Sequence, residues 1–207
     1  AAQSSVGNSF KNPLDTIKSN TLGTLNILEA CRALNYQGRI FFAGSSEIFG
    51  HQVSPIDLES KMNPKSPYAI SKHASQNLVT LYRESYDLKA ITGILFNHES
   101  QYRDQRFITQ KIIMGAIRSH YDKNYTLKIG NINIERDWGW AEEYVEAMQL
   151  ITRADNISDY NLSGMVFGKS DGLEDFLPNL DNGFIQGNFE PKHLLKHENE
   201  FEVELDH

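Results

Sequence analysis

The spacing of apolar and polar residues changes several times along the chain. Apolar residues lie at positions 14, 17, 22, 25, 28 and 34, and this spacing predicts an amphipathic helix. Asn12 followed by Pro13 is typical of a helix start, so the predicted helix runs from there to about Asn35. A glycine then precedes a run of apolar residues over 39–43, which indicates a strand buried in a parallel sheet.

The same two spacings recur further along, separated by irregular stretches at 44–66 and 97–105. They predict helices over 67–86, 107–120 and 140–152, and strands over 89–96, 125–129 and 160–162. On the second helix, Leu78, Leu81 and Tyr82 are the core candidates. Strands that alternate with helices of this length indicate βαβ units. We therefore predict an α/β fold built on a doubly wound parallel sheet.

Composition excludes several classes of function. The 207 residues carry a formal net charge of −7, which argues against wholesale binding to nucleic acid or a membrane surface. The chain has no apolar stretch near the roughly 18 residues of a membrane span. Cys31, the only cysteine, is predicted to be a buried, inert thiol in a reducing cytoplasm. His193 and His197 have no acidic or sulfur ligand patterned with them, so no metal site is predicted.

The candidate chemistry centres on a tyrosine and a lysine four residues apart on the second predicted helix. Tyr68 and Lys72 share a face of that helix, and an adjacent ammonium group is expected to lower the pKa of the phenol toward that of a general base. Ser45 and Glu47 directly follow the first strand, and 97–99 follows the next. Ligands bind at the carboxyl ends of such strands, so we expect these residues to converge there. Taken alone, the tyrosine and lysine would be interpreted as a surface pair; the Ser-Ser-Glu element after the strand and the Ser-Pro before the tyrosine favour a site instead.

Three stretches carry distinctive motifs, at Ser45–Gly50, Ser66–Lys72 and Gly93–Ser100, and shorter ones follow at 136–139 and 144–148. Over about residues 1–170 they resemble the extended short-chain dehydrogenases/reductases, and within them the GDP-mannose 4,6-dehydratase family. The resemblance implies a partial Rossmann-like sheet without its first strands. It also implies an incomplete NAD(P)-binding domain over 1–125 and a reduced, partly irregular substrate-binding region over 126–207.

The resemblance also implies catalytic roles in the conversion of GDP-mannose to GDP-4-keto-6-deoxy-mannose through transient reduction of NADP. Tyr68 would take the proton of the sugar 4-hydroxyl, and Lys72 would bind the nicotinamide ribose. Glu47 would be the base at C5 and would assist loss of water from C6. Ser45 stands where the family usually has threonine, and it would hydrogen-bond the reacting oxygen.

Further positions match binding residues of the family. For the cofactor, they are Ala2, Gln3, His98 and Arg103, beside Tyr68 and Lys72; for the nucleotide sugar, they are Asn97, Lys111 and Arg136. Each has a simpler reading, because His98 could be a structural histidine and Arg103, Lys111 and Arg136 could be solvated surface charges. The resemblance further implies a homo-oligomer.

The chain also departs from the family pattern. It contains no G-x-x-G-x-x-G turn of the kind that holds a pyrophosphate, Tyr102 replaces an arginine, and the similarity fades after about residue 170. The chain is therefore interpreted as a fragment or as a degenerate homologue. NAD in place of NADP, another nucleotide-sugar dehydratase or epimerase, and a non-catalytic interaction subunit stay open.

Overall fold

The computed structural model describes residues 3–51, 56–129 and 136–163, together with short strands at 184–185 and 203–205. The helices are α1 (Val6–Lys11), α2 (Pro13–Ile17), α3 (Gly23–Ala33), α4 (Pro67–Tyr86), α5 (Ile108–Tyr121) and α6 (Ala141–Arg153). A π-helical turn spans Lys18–Leu22, and a 3-10 turn spans Ser46–Phe49. The strands are β1 (Ile40–Ala43), β2 (Ala90–Leu95), β3 (Asn97–Glu99), β4 (Leu127–Ile129), β5 (Trp138–Trp140), β6 (Tyr160–Leu162), β7 (Phe184–Ile185) and β8 (Val203–Leu205).

The central sheet has four parallel strands in the order β1-β2-β6-β7. From one face, Val79 and Tyr82 of α4 pack with Ala90 of β2. From the other face, Tyr144 of α6 packs with Ile91 of β2 and with β6. Helices therefore cover both faces of a parallel sheet, which confirms the predicted α/β class. The division into regions 1–125 and 126–207 stays a prediction.

The predicted helix start is confirmed, because α2 begins at Pro13 with Asn12 as its N-cap, but the helix is broken into pieces and a separate helix, α1, precedes it. Ser5 caps α1, because its hydroxyl accepts a hydrogen bond from Asn8 N at 3.2 Å. The chain leaves helical geometry at Asn12, with φ −133° and ψ 63°, because a following proline disfavours the α conformation. The π-helical turn then separates α2 from α3 and encloses the buried Asn20.

Burial corrects three sequence-based expectations. All six residues of β2 are buried, whereas β1 is half-buried and its Ala43 is exposed, because within the described residues β1 pairs on one side only. Leu81 is 48% exposed, although Tyr82 and Leu78 do join the core. Cys31 is partly rather than fully buried, since it packs at the margin of that core.

The sequence pattern predicted the short strands β4 and β6 but missed β3, β5, β7 and β8. β3 pairs in parallel with β5, and β4 pairs in parallel with β8. β3 lies in a stretch predicted to be a polar loop, where no apolar run or alternation marks a strand. No helix within the described ranges has both the length and the apolar character needed to cross a bilayer.

Candidate active site

The site lies where β1 and β2 end at the carboxyl edge of the sheet. Ser45 caps the 3-10 turn after β1, and its hydroxyl accepts a hydrogen bond from Glu47 N at 3.4 Å. The turn ends at Gly50, whose φ of +66° favours glycine. A Cβ there would also lie 2.4 Å from Asn63 O, so glycine lets the return segment approach. This turn fixes Ser45 and Glu47 at the strand end.

Tyr68 enters the site from the first turn of α4. Ser66 caps this helix by accepting a hydrogen bond from Ala69 N at 3.0 Å, and Pro67 occupies the first helical position. The Tyr68 side chain is buried and is hydrogen-bonded to the Ser45 side chain. The structure therefore joins the two hydroxyl groups that the sequence predicted would converge.

Lys72 lies one turn further along the same face of α4. Its Nζ donates to Ala43 O at 2.9 Å, and it lies 5.1 Å from the centre of the Phe42 ring and 5.9 Å from that of Tyr68. The side chain is 8% exposed, and burial lowers the pKa of Lys72. The lysine is thus tied to the end of β1, behind the tyrosine, as expected.

The predicted lowering of the Tyr68 pKa is wrong for this structure. Burial raises the pKa of Tyr68, and the negative charge of Glu47 raises it further. The hydrogen bond from Ser45 and the positive charge of Arg103 oppose this rise without reversing it. Desolvation of the phenolate is therefore the largest effect, and Tyr68 is held in its protonated form.

β3 and the segment after it supply two further predicted site residues, His98 and Arg103. His98 Nδ1 lies 2.9 Å from Phe96 O, and the His98 ring stacks on Tyr144 with centroids 4.6 Å apart. Burial lowers the pKa of His98, which favours the neutral imidazole with Nδ1–H donating to the carbonyl. Asn97 is half-buried beside it in β3, in register with Trp138.

Arg103 is close enough to influence both Tyr68 and His98, because its charge lowers the pKa of each. Its Nε lies 3.3 Å from Glu99 Oε2, and its guanidinium carbon lies 3.6 Å from the centre of the Phe107 ring. The structure therefore brings Arg103 to the site together with His98. The surface-charge reading does not fit a guanidinium packed in this way.

Gln3 is attached to the catalytic helix by a buried asparagine that the sequence analysis missed. Gln3 N donates to Asn20 Oδ1 at 3.1 Å, and Asn20 Nδ2 donates to Gln3 O at 3.1 Å and to Ser71 Oγ at 2.9 Å. Ser71 lies between Tyr68 and Lys72, and its hydroxyl donates to Tyr68 O at 2.7 Å. An asparagine on an apolar helix face was the available signal. Ala2 lies outside the described residues.

Two of the predicted substrate residues, Lys111 and Arg136, are exposed. Lys111 lines a cleft of about 370 Å³ between α5 and β4, and the sequence analysis missed two other cations there, Arg118 and Lys128. Arg118 follows Lys111 by seven residues and so shares its helix face, a spacing that could have revealed it. Arg136 is not among the residues that line this cleft.

No cluster of three or more histidine, cysteine or acidic residues suited to a metal occurs in the part of the chain that the structure describes. The pair His193 and His197 lies outside those residues. Serine and glutamate after β1, with tyrosine and lysine from α4, are side chains that can take part in proton transfer.

A parallel sheet covered by helices on both faces is a Rossmann-type fold. The buried serine, tyrosine and lysine at its carboxyl edge are of the short-chain dehydrogenase/reductase kind. Among solved structures, RMD from Pseudomonas aeruginosa complexed with NADPH has the same fold, with a TM-score of 0.73 and 22% identity over 91% of this chain and 70% of that one. UDP-glucose 4-epimerase from Thermus thermophilus in complex with NAD has a TM-score of 0.67 and 28% identity, over 79% of this chain and 54% of that one.

The chain belongs to the GDP-mannose 4,6 dehydratase family, whose sequence model matches residues 1–176. It is 40% identical over 166 residues to the GDP-mannose 4,6-dehydratase of Sinorhizobium fredii (strain HH103), which covers 79% of this chain. The match spans 47% of that relative's length, so the chain corresponds to about half of it.

Proposed function

We propose that this chain contains the proton-transfer residues of a sugar-nucleotide 4,6-dehydratase that converts GDP-mannose to GDP-4-keto-6-deoxy-mannose. The observation that carries the proposal is the buried hydrogen bond between Tyr68 and Ser45, with the charge of Glu47 acting on the same phenol. Membership of the dehydratase family supports the substrate and the reaction. Because the chain spans about half of its relative, the activity is proposed for the complete site.

Tyr68 is proposed as the general base for the sugar 4-hydroxyl. The phenolate form of Tyr68 accepts that proton as C4 is oxidised, while the Ser45 hydroxyl, bonded to the same oxygen, holds the reacting group in line. Lys72, fixed by Ala43 O, supplies positive charge that stabilises this phenolate before it accepts the proton. Because burial raises the pKa of Tyr68, this charge is needed to form the phenolate in the first place.

Glu47 is proposed as the base at C5 of the sugar. Removal of the C5 proton, after oxidation at C4, expels the C6 hydroxyl group, which leaves as water with the proton that the carboxyl group returns. The hydride taken from C4 would then be delivered to C6 and a proton to C5, which gives the 4-keto-6-deoxy product. The pair Tyr68 and Glu47 therefore divides the work, since one acts on an oxygen-bound proton and the other on a carbon-bound proton. Epimerisation at C4 would need only the first of these.

The described residues fit the nicotinamide–ribose end of NADP. An ammonium group has three N–H donors, and within the described residues one from Lys72 goes to Ala43 O. Arg103 Nε is buried and ion-paired with Glu99 Oε2 at 3.3 Å, but the described residues give it no hydrogen bond, so its N–H would suit a polar ligand beside that carboxylate. Tyr68, Lys72, Gln3, His98 and Arg103 would hold this end. Bound NADP, or NAD in its place, would supply the hydride acceptor.

The test compares Glu47→Gln with Glu59→Gln, an exposed carboxylate, in the longest reading frame containing this chain, because weak or no activity is expected from the isolated 207 residues, which span about half of the relative. With GDP-mannose and NADP, we expect Glu47→Gln to oxidise C4, seen as nicotinamide absorbance, without the loss of water that mass spectrometry detects. The Glu59→Gln control should form the dehydrated product. Normal dehydrated product from Glu47→Gln would refute the assigned role. Parallel assays with UDP-glucose and dTDP-glucose test whether another nucleotide sugar is preferred.

A second candidate is a non-catalytic subunit that associates with a partner. It is favoured by the half-buried edge strand β1 and by the absence of a glycine-rich phosphate turn from the sequence. Each missing charge-assisted hydrogen bond is worth about 1.5–3 kcal/mol, so losing two weakens NADP binding by roughly two to four decades. We expect calorimetry to detect no micromolar NADP binding by the isolated chain. Micromolar binding would count against this second candidate.

We further propose a cytoplasmic homo-oligomer, with no nucleic acid or membrane as partner. Ile70 and Leu81 support association, because they are 50% and 48% exposed on α4 and lie about three turns apart on one face. Light scattering on Ile70→Glu, with the exposed Glu84→Gln as control, tests this. A wild-type mass of one chain at all concentrations would contradict the oligomer.

A further inference from the structure

The glycine of the motif at 136–139 lies directly beside His98 in the sheet. β3 and β5 pair in parallel with His98 opposite Gly139, and neighbouring strands lie only about 4.8 Å apart. A side chain at position 139 would therefore project next to the His98 ring on the same face. A Cβ added to Gly139 would overlap Tyr144 Cε2 and would lie 3.2 Å from Tyr144 Cζ. The space that this glycine leaves open is thus filled by the ring of Tyr144.

Tyr144 reaches this space from the first turn of α6, which follows β5 without a loop. Its side chain is fully buried and packs with Ile91 and Leu95 of β2. Its ring lies against that of His98 with centroids 4.6 Å apart and planes at 28°, which is a stacked arrangement. A flat ring that is itself held in the core therefore limits how the imidazole can rotate.

The ring of Tyr144, and not its hydroxyl group, makes this contact. The hydroxyl oxygen is buried and has no hydrogen-bond partner within the described part of the chain. Burial raises the pKa of Tyr144, and the negative charges of Asp137 and Glu143 raise it further, so the phenol stays neutral. Phenylalanine would offer His98 the same face, whereas leucine would fill much of the space without a flat face.

One ring nitrogen of His98 is engaged and the other is left for a ligand. Nδ1 lies 2.9 Å from Phe96 O, and a carbonyl oxygen can only accept, so Nδ1 carries the proton. Burial lowers the pKa of His98, and the positive charge of Arg103 also lowers it. The hydrogen bond with Phe96 O and the charge of Glu99 oppose this without reversing it. In the neutral ring, Nε2 has a free lone pair and accepts a hydrogen bond.

We propose that Tyr144 is a positioning residue, which holds the His98 ring so that Nε2 accepts a hydrogen bond from the nicotinamide–ribose end of the cofactor. The inference rests on the proposed function, in which His98 helps to hold that end, and it adds the residue that sets the direction of the ring. A ribose hydroxyl group and the carboxamide N–H of nicotinamide are both donors that suit Nε2. A ring that turned freely would have to be ordered on binding, so affinity would fall.

The first test measures NADP binding by calorimetry in the longest reading frame that contains this chain. Tyr144→Leu removes the flat ring, and we expect it to bind NADP about tenfold more weakly, as for loss of one hydrogen bond. Tyr144→Phe is the matched control and should bind NADP as the wild type does. Adenosine 2′,5′-bisphosphate lacks the nicotinamide–ribose end and should bind equally to all three proteins. Equal losses with both ligands, equal losses in both variants, or no loss in Tyr144→Leu would overturn the proposal.

A mutant cycle shows whether Tyr144 acts through His98. His98→Asn removes the imidazole, so adding Tyr144→Leu to it should cost little further affinity for NADP. A second, full loss in the double variant would contradict the proposal. Binding of 2′-phospho-ADP-ribose, which keeps the ribose without the nicotinamide, identifies the donor. A loss in Tyr144→Leu with this ligand as well as with NADP supports the ribose hydroxyl, and a loss with NADP alone supports the carboxamide.

A second measurement needs neither cofactor nor turnover. Nitrogen NMR at about pH 8, where an imidazole is neutral, distinguishes a protonated Nδ1 from a protonated Nε2. We expect a protonated Nδ1 at His98 in the wild type and in Tyr144→Phe, and a mixture in Tyr144→Leu, with His98→Asn identifying the signal. A protonated Nε2 in the wild type would overturn the proposal whether or not Tyr144→Leu folds. So would the same pure Nδ1–H form in all three proteins.

These outcomes are separate from the proposed reaction. Weaker NADP binding by Tyr144→Leu, without turnover of GDP-mannose by the wild type, would sink the reaction alone. Normal turnover with equal NADP affinities would sink the positioning role alone. If the wild type bound no NADP, the proposed cofactor would fail, and the protonated nitrogen of His98 would still decide the role of Tyr144.

Discussion

Two candidate binding regions are built by opposite means. One is the carboxyl edge of the sheet around Ser45, Tyr68 and Lys72, called here the edge, and the other is the cleft between α5 and β4 that Lys111, Arg118 and Lys128 line. At the edge, buried side chains are fixed by hydrogen bonds between different elements, as in the contacts of Tyr68 with Ser45 and of Lys72 with Ala43 O. In the cleft, Lys111 and Arg118 are exposed on one helix. The first region is preorganised for proton transfer, whereas the second offers charge that a ligand can use.

The largest expected effect comes from removing the reactive hydroxyl group at the edge while its packing is kept. Tyr68→Phe removes one hydroxyl, and we expect turnover of GDP-mannose to fall roughly a hundred- to ten-thousandfold, as for loss of a general base. Tyr86→Phe, on the exposed part of the same helix, is the matched control. The unfolding temperature should change little in both variants. Full turnover by Tyr68→Phe would remove tyrosine from the mechanism.

The next largest effect comes from removing the hydrogen bonds of Asn20, which link Gln3 to the helix that carries Tyr68. Asn20→Ala removes the hydrogen bonds to Gln3 and Ser71 and leaves buried polar groups unpaired, so the free energy of unfolding should fall by about 2–4 kcal/mol. Asn26→Ala, at an exposed position of α3, should cost far less. Urea denaturation measures both. Equal losses would mean that the buried contacts contribute nothing beyond helix propensity.

The cleft should respond in the opposite way, with altered binding and unaltered stability. Arg118→Gln should weaken the binding of pyrophosphate, the diphosphate part of a nucleotide sugar, by about fivefold, near 1 kcal/mol, because an exposed cation contributes a screened attraction. Its unfolding temperature should match that of the wild type. Lys89→Gln, an exposed lysine outside the cleft, is the control. A large drop in stability with Arg118→Gln would show that the cleft is held as rigidly as the edge.

The smallest effect concerns a surface cluster where α3 meets α4. The Arg32 guanidinium lowers the pKa of Glu29 to about 2, and the Tyr82 hydroxyl, which also donates to this carboxylate, adds to the effect. Because the folded pKa is depressed, the stabilisation is complete above the unfolded value of about 4.3 and is lost as pH falls toward about 2. Wild type and Glu29→Gln should therefore differ slightly in unfolding temperature at pH 6 and converge near pH 2. A constant difference across this range would refute the assignment.

The same hydrogen bond acts on Tyr82 at alkaline pH. Acceptance by the Glu29 carboxylate raises the pKa of Tyr82 to about 12. A raised pKa means that this contribution is present below about pH 10 and disappears as pH rises through about 12. Tyr82→Phe should thus lose its difference from the wild type at the alkaline end.

The edge could be predicted from the sequence because its residues lie on a long helix or directly after a continuous apolar strand. The helix predicted over 67–86 matches α4, and strands were predicted close to β1, β2 and β6. Topology then brings Ser45, Glu47 and Tyr68 together, since parallel strands end on the same side. What failed was the sign of the Tyr68 pKa shift, because burial is a property of the packed structure and Lys72 is directed to a backbone carbonyl.

The cleft was harder to foresee, because it depends on contacts that no local pattern specifies. Lys111 was chosen by resemblance alone, whereas Lys128 belongs to a strand of three residues, β4. The partner strand β8 lies in a region for which the sequence pattern gave no structure. Short parallel pairs are decided by contacts far apart in the chain, so residue spacing carries little information about them.

The π-helical turn around Asn20 has a consequence for how this fold can be altered. A π turn contains one residue more than the α-helical ladder needs, so deleting a residue there would give a smoother helix. The helices on either side would stay nearly in phase, because the wider π turn already absorbs the extra residue. The change would therefore fall on Asn20 itself, which lies in this turn and donates its amide to Ser71, so a more regular backbone would cost the catalytic helix its anchor.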